Sequence, residues 1–202
     1  MGDIRMNLFP ADDRRLRELI LHISRRCGDW DPFTPALLER MLFQADFLHF
    51  RLHGFPITGQ TYRRGVRSPA PRTMARMVRD MARAGEFEIS EEPIGDGLHV
   101  RRRAHAYREP ELRIFDGQEI ALVERVIRFY RRHWRTGSAG PDLLVLPWEL
   151  AAPREEIPYP LALLGAVEEP DAKRMSRNRL PFETEQAQGM RELAHHALTS
   201  AS

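Results

Sequence analysis

Leu16, Leu19, Ile20 and Ile23 recur at helical spacing and predict a first helix over about 13–26, opened by Asp12 or Asp13 and closed by Gly28. Leu38, Met41, Leu42, Ala45, Leu48 and Leu52 form the buried stripe of a second helix. Thr34 is its N-cap, and Pro35 stands at the first helical position, where a missing N–H costs nothing. Gly54 and Pro56 stop it. Met74, Met77, Val78 and Met81 give a third helix over about 72–84, ending at Gly85. Phe87-Glu88-Ile89 alternates as a strand, Gly95-Asp96-Gly97 is a turn, and Leu98-His99-Val100 starts a return strand. A fourth helix over about 117–134 turns Ile120, Val123, Val126, Ile127 and Tyr130 inward; Asp116 and Glu119 have capping-box spacing at its start.

The stretches between are irregular. Pro56 to Tyr62 is a short extended segment or loop, and Pro69 and Pro71 argue against regular structure up to about Arg72. Beyond Gly137 the chain is Pro-rich to Pro160, with a short helix at Leu161 to Leu164. Pro170 to Pro181 reads as a linker and Glu183 to Leu198 as a terminal helix. The expected class is mainly α (α+β): a helical bundle with one small β-hairpin over 1–167, then a linker and C-terminal helical appendage over 168–202. Three helices followed by a hairpin are also the order of a winged helix.

Composition narrows the classes. At 202 residues, 42% hydrophobic and 30% charged, the chain reads as a globular protein. Folding at this size buries about 70% of the unfolded surface, so neither metal nor disulfide is needed to hold a core. Cys27 is the only cysteine, which fits a reducing compartment. Met1 to Arg17 lacks an apolar signal core, and apolar runs such as Leu143 to Pro147 are too short to span a bilayer. The expected location is cytoplasmic, with no membrane partner. The formal net charge is only +2, and Lys173 is the sole lysine among the basic residues. Any case for nucleic acid therefore rests on where the arginines cluster.

Few residues invite catalysis. Asp46, His49 and His53 lie at i, i+3 and i+7, a spacing that can bind a divalent metal and would suit a metal-dependent enzyme, but Phe50 stands where a zincin needs glutamate. A solvated helix face with a hydrogen-bonded histidine explains the same residues. His195 and His196 are adjacent on the terminal helix and point about 100° apart. Cys27 sits at a helix C-terminus, where the dipole disfavours a thiolate. Glu91 and Glu92 read as solvated charge in the hairpin loop. The expectation is no catalytic residue, no metal and no cofactor.

Arginine is the strongest local feature. Arg63, Arg64 and Arg67 precede the third helix, and Arg72, Arg76, Arg79 and Arg83 form a stripe along it. Arg101-Arg102-Arg103 follows in the return strand. In a winged helix these groups would meet the major groove and the phosphate backbone, giving a DNA-binding regulator. An acidic protein partner would use the same surface, and so would a plain solvated face. Tyr62 beside Arg63 suits a docking face, since tyrosine and arginine are enriched in interface hot spots.

Phe43-Gln44-Ala45-Asp46-Phe47-Leu48-His49, followed by Gly54-Phe55-Pro56-Ile57-Thr58-Gly59, resembles the signature of the Panacea (SocA-like) antitoxin family. Arg67-Ser68-Pro69-Ala70-Pro71 is similar to the turn that opens the family's next helix, with Ser68 where glycine is usual. Pro147-Trp148 and Glu156-Ile157-Pro158-Tyr159 resemble its C-terminal segment, with Leu144-Val145 where a Ser-His pair is common. The likeness covers about Leu37 to Leu164. It implies a toxin-neutralising protein that acts by direct contact with a cognate toxin, and delivery of that toxin to a protease complex is a second implied role.

Overall fold

The helices form where their caps place them. The computed structural model describes residues 9–31, 33–66, 68–94, 99–133 and 151–164. Helix α1 spans Asp13–Cys27, α2 Pro35–His53, α3 Met74–Arg83 and α4 Gly117–His133. Asp12 caps α1 by accepting from the Arg15 N–H at 2.9 Å. The Thr34 hydroxyl accepts from the Leu37 N–H at the start of α2. Gly54 closes α2 in the left-handed region at φ 83°, its N–H on the Phe50 carbonyl at 2.8 Å. The Asp116–Glu119 box is reciprocal: Asp116 accepts from the N–H of Gln118 and Glu119, and Glu119 accepts from the N–H of Asp116.

Helix α2 is the centre of the core. From Met41 to Phe50 every residue is buried, so the single stripe expected from periodicity becomes a helix enclosed on all sides. Its neighbours are α1, α4, a short strand over Pro69–Pro71 and a 3-10 helix over Tyr159–Leu163. That 3-10 helix stands where a short helix was expected. On α4, Leu122 and Phe129 are buried along with Val123, Val126, Ile127 and Tyr130, while Ile120 is half-buried.

Two small antiparallel sheets are present where one hairpin was expected. In the first, β1 (Tyr62–Arg64) lies between β2 (Pro69–Pro71) and β5 (Glu156–Ile157). Pro69 and Pro71 were expected to exclude regular structure, and they occupy a strand instead. The reason is register: the Arg72 N–H meets the Thr61 carbonyl at 2.8 Å and the Ser68 carbonyl receives the Gly65 N–H at 3.1 Å. The two prolines stand at the odd positions between these bonds, on an edge strand where a missing N–H is tolerated.

The second sheet is the expected hairpin, lengthened: β3 is Phe87–Ile94 and β4 is His99–Ala106. Glu91 and Glu92 are strand residues of β3 rather than loop residues. Glu91 pairs across the ladder with Arg102 and Glu92 with Arg101. β3 packs on α3, and β4 packs on α1. The turn Gly95-Asp96-Gly97, and the linker and terminal helix expected over 168–202 with His195 and His196, lie outside the described residues. Among the described residues no helix is long and apolar enough to cross a membrane.

Candidate functional site

Three of the residues quoted for the resemblance, Asp46, Thr58 and Tyr159, meet in one buried polar knot. Asp46, on the central helix, is fully buried. Its Oδ1 accepts from the Thr58 N–H at 2.7 Å; its Oδ2 accepts from the Thr58 hydroxyl and, at 2.9 Å, from the Tyr62 hydroxyl. The Tyr159 hydroxyl lies 3.4 Å from the same oxygen and donates to the Gln60 carbonyl at 2.7 Å. Burial pushes the Asp46 carboxyl up, with the Thr58 and Tyr62 donors opposing it. Burial pushes the Tyr62 and Tyr159 phenols up as well, so both remain donors.

The loop between α2 and β1 is shaped for this contact. Gly59 sits at φ 65°, and a Cβ there would lie 2.3 Å from the Pro10 carbonyl oxygen. The Asp12 N–H reaches the Thr58 carbonyl at 2.8 Å and ties the start of α1 to the same loop. Pro56, Ile57 and Thr58 are buried, as are Ala45, Ile157 and Tyr159, while Pro158 is exposed. Pro69 is buried in β2, and next to it the Ser68 hydroxyl bonds the Glu39 carboxylate, an anchor that glycine lacks. Trp148 lies outside the described residues. An open groove of about 440 Å³, lined by Phe9, Asp12, Asp13, Arg15, Pro56 and Gly59, runs beside the knot.

The geometry separates Asp46 from the two histidines that share its sequence spacing. His49 donates from Nδ1 to the Phe55 carbonyl at 2.7 Å, and its ring lies 4.4 Å from that of His53. Burial holds its pKa below the usual histidine value, and the bond to the Phe55 carbonyl makes the ring a loop anchor. Among the described residues no three His, Cys, Asp or Glu side chains gather as a metal site. Cys27 is buried, and burial pushes its thiol up to about 12.

Outside the knot lies the arginine strip. Tyr62 was expected on its surface and is instead fully buried, because alternation along β1 turns it toward Phe43, Phe47 and Asp46. Arg63, one position on, is exposed and meets Glu156 of β5 at 3.5 Å. Arg64 is half-buried and donates to the Ala151 carbonyl. Arg67 lies outside the described residues. Arg72 also meets Glu156 at 3.5 Å, Arg76 binds Asp13 at 2.6 Å, and Arg83 lies 3.5 Å from Asp80. Arg79 is exposed and makes no ion pair among the described residues.

The hairpin arginines are engaged within the fold: Arg101 and Arg103 both reach Asp31, and Arg102 reaches Glu91. Sequence reasoning missed Glu156 and Asp13 as members of the strip. Both enter it from other elements, through strand register and helix packing, which leave no local signal. No protein-family model matches the chain, and no significant match to a curated protein or to a solved structure was found.

Proposed function

We propose that this chain is a Panacea-like contact module: an antitoxin-type protein that neutralises a cognate toxin by binding it, with the arginine strip as its docking face. One observation carries the reading. Asp46, Thr58, Tyr62 and Tyr159 are spread over 113 positions and converge on a single hydrogen-bonded core. Such convergence supports the resemblance, because it gives three widely separated motif residues, Asp46, Thr58 and Tyr159, one common task. It also supports a framework role, because the Asp46 oxygens are occupied by internal donors. In this reading the chain is not an enzyme, needs no cofactor and works in the cytoplasm, and handing the toxin to a protease complex is an extension of the same contact.

Co-expression with a toxic open reading frame beside the gene tests the proposal. Growth should be rescued and the two products should co-purify; a harmless neighbour that forms no complex overturns the reading. The docking face has its own test. Changing Arg72 and Arg76 together to Glu should leave a folded protein whose affinity for the toxin falls at least about tenfold. Unchanged affinity in a folded double variant moves the interface elsewhere.

A winged-helix DNA-binding regulator is the second reading, favoured by the exposure of Arg79 and Arg83 on the helix that precedes the hairpin. It is the weaker one: α3 packs on β3 and α1, and the hairpin arginines already hold Asp31 and Glu91. Binding to promoter DNA should fall steeply with salt. No gel-shift retention at low salt removes this reading.

A further inference from the structure

Arg63 and Arg72 come from different elements and flank one carboxylate. Arg63 lies on β1, directly opposite Glu156 of β5 in the ladder. Arg72 follows β2, placed by its N–H bond to Thr61 on the other flank of β1. Both guanidinium groups stand 3.5 Å from the same Glu156 Oε1. A charge-assisted bond between guanidinium and carboxylate closes to about 2.7–2.9 Å, and Arg76 of α3 holds Asp13 closer still, at 2.6 Å. Glu156 is thus shared between two guanidinium groups, with a long hydrogen bond to Arg72 and an ion pair to Arg63. All three side chains are accessible, at 44%, 53% and 37%.

We infer that Glu156 is an internal occupant of a two-arginine fork, and that the fork takes a carboxylate from an acidic segment of a partner protein in its place. The inference rests on the contact reading above and names the chemistry of the partner. Arg76, Arg79 and Arg83 extend the strip along α3, so further carboxylates would find cations in line with the first.

Charge pattern decides between a protein and a nucleic acid. Asp13, Asp80 and Glu156 stand among the five arginines, each paired with at least one of them. A continuous phosphate backbone would meet those acids as repulsion, whereas separate carboxylates on a peptide can fall between them. The chain's net charge of only +2 adds little long-range attraction for DNA.

The test uses the full chain and three probes: a fluorescein-labelled oligoglutamate peptide, an oligoserine peptide of the same length, and a DNA duplex of matched charge. Anisotropy should report binding of oligoglutamate and not of oligoserine. Glu156→Gln should tighten oligoglutamate binding by about threefold, the scale of one exposed ion pair. Arg63→Gln with Arg72→Gln should weaken it about tenfold. Thermal melts of each variant establish folding, and Glu156→Ala repeats the first arm if the Gln variant is unstable. Unchanged affinity in a folded Glu156 variant overturns the fork, as does equal or tighter binding of the duplex.

Failure here is separable from failure of the antitoxin reading. Toxin rescue without oligoglutamate binding removes only the fork. Competitive oligoglutamate binding with a harmless neighbouring gene removes only the antitoxin role.

Discussion

Two buried carboxylates, Asp46 and Glu18, meet opposite kinds of partner. Asp46 is met by neutral N–H and O–H donors, and Glu18 by a bidentate Arg108 at 2.7 and 2.8 Å together with the Glu111 N–H at 2.8 Å. Asp46→Asn keeps the volume but turns an NH₂ toward at least one donor, and should lower unfolding free energy by about 2–4 kcal/mol in urea titrations. Burial pushes the Glu18 carboxyl up, and Arg108 with the Glu111 N–H outweighs that and holds it below its ordinary value of 4.5. Its contribution to stability is therefore full above that value and is lost as pH falls through the lower folded one. The melting temperature of Glu18→Gln should drop at neutral pH by the equivalent of about 2–3 kcal/mol and show a flatter acid limb than the parent. Asp46 has the opposite sign, because its carboxyl is raised in the fold: its contribution is largest below its ordinary value of 3.8 and declines as pH rises. The i, i+3 and i+7 spacing drew Asp46 toward the histidines, yet its partners lie 12 and 16 positions onward, in a loop and a strand. Helical periodicity reports which residues share a face and is silent on what reaches that face from elsewhere.

At the scale of elements, what is local was legible. Thr34-Pro35, Asp116 with Glu119, Gly54 and Gly85 mark helix ends through chemistry within four residues, and the helices begin and end there. Asp116→Ala should cost about 1 kcal/mol, measurable as a lowered denaturation midpoint at constant slope. The β2–β1–β5 sheet was not legible. Its strands are three, three and two residues long, two of them are joined across some 90 positions, and prolines mask the third. Gly59 shows how tightly this region is built. Gly59→Ala combines a left-handed backbone with a side chain driven into the Pro10 carbonyl, and should lose at least about 2 kcal/mol in the same titrations.

At the scale of the molecule, Arg76, Arg79 and Arg83 face outward along α3, because a helix displays them at regular intervals, while Arg72 stands in the turn before it. Tyr62 was misplaced because a three-residue strand gives too short an alternation to assign a face. Cys27 offers a global readout: fully buried, with its thiol pushed up to about 12, it should resist a thiol-specific disulfide reagent in the native protein and react at the rate of unfolding. Labelling as fast as that of free cysteine would contradict this burial. The knot around Asp46 also bears on the order of synthesis. Tyr159 reaches a residue 113 positions upstream, and β1 waits for Ile157 before its second edge is covered. A ribosome that has delivered α1, α2 and the first hairpin has therefore released a chain whose central helix still lacks one wall. Closure of so long a loop comes late and slowly. A chain ended by a premature stop just before Glu156 would carry the intact arginines of α3 on an unfinished core that stays open to proteolysis, because its last wall never arrives.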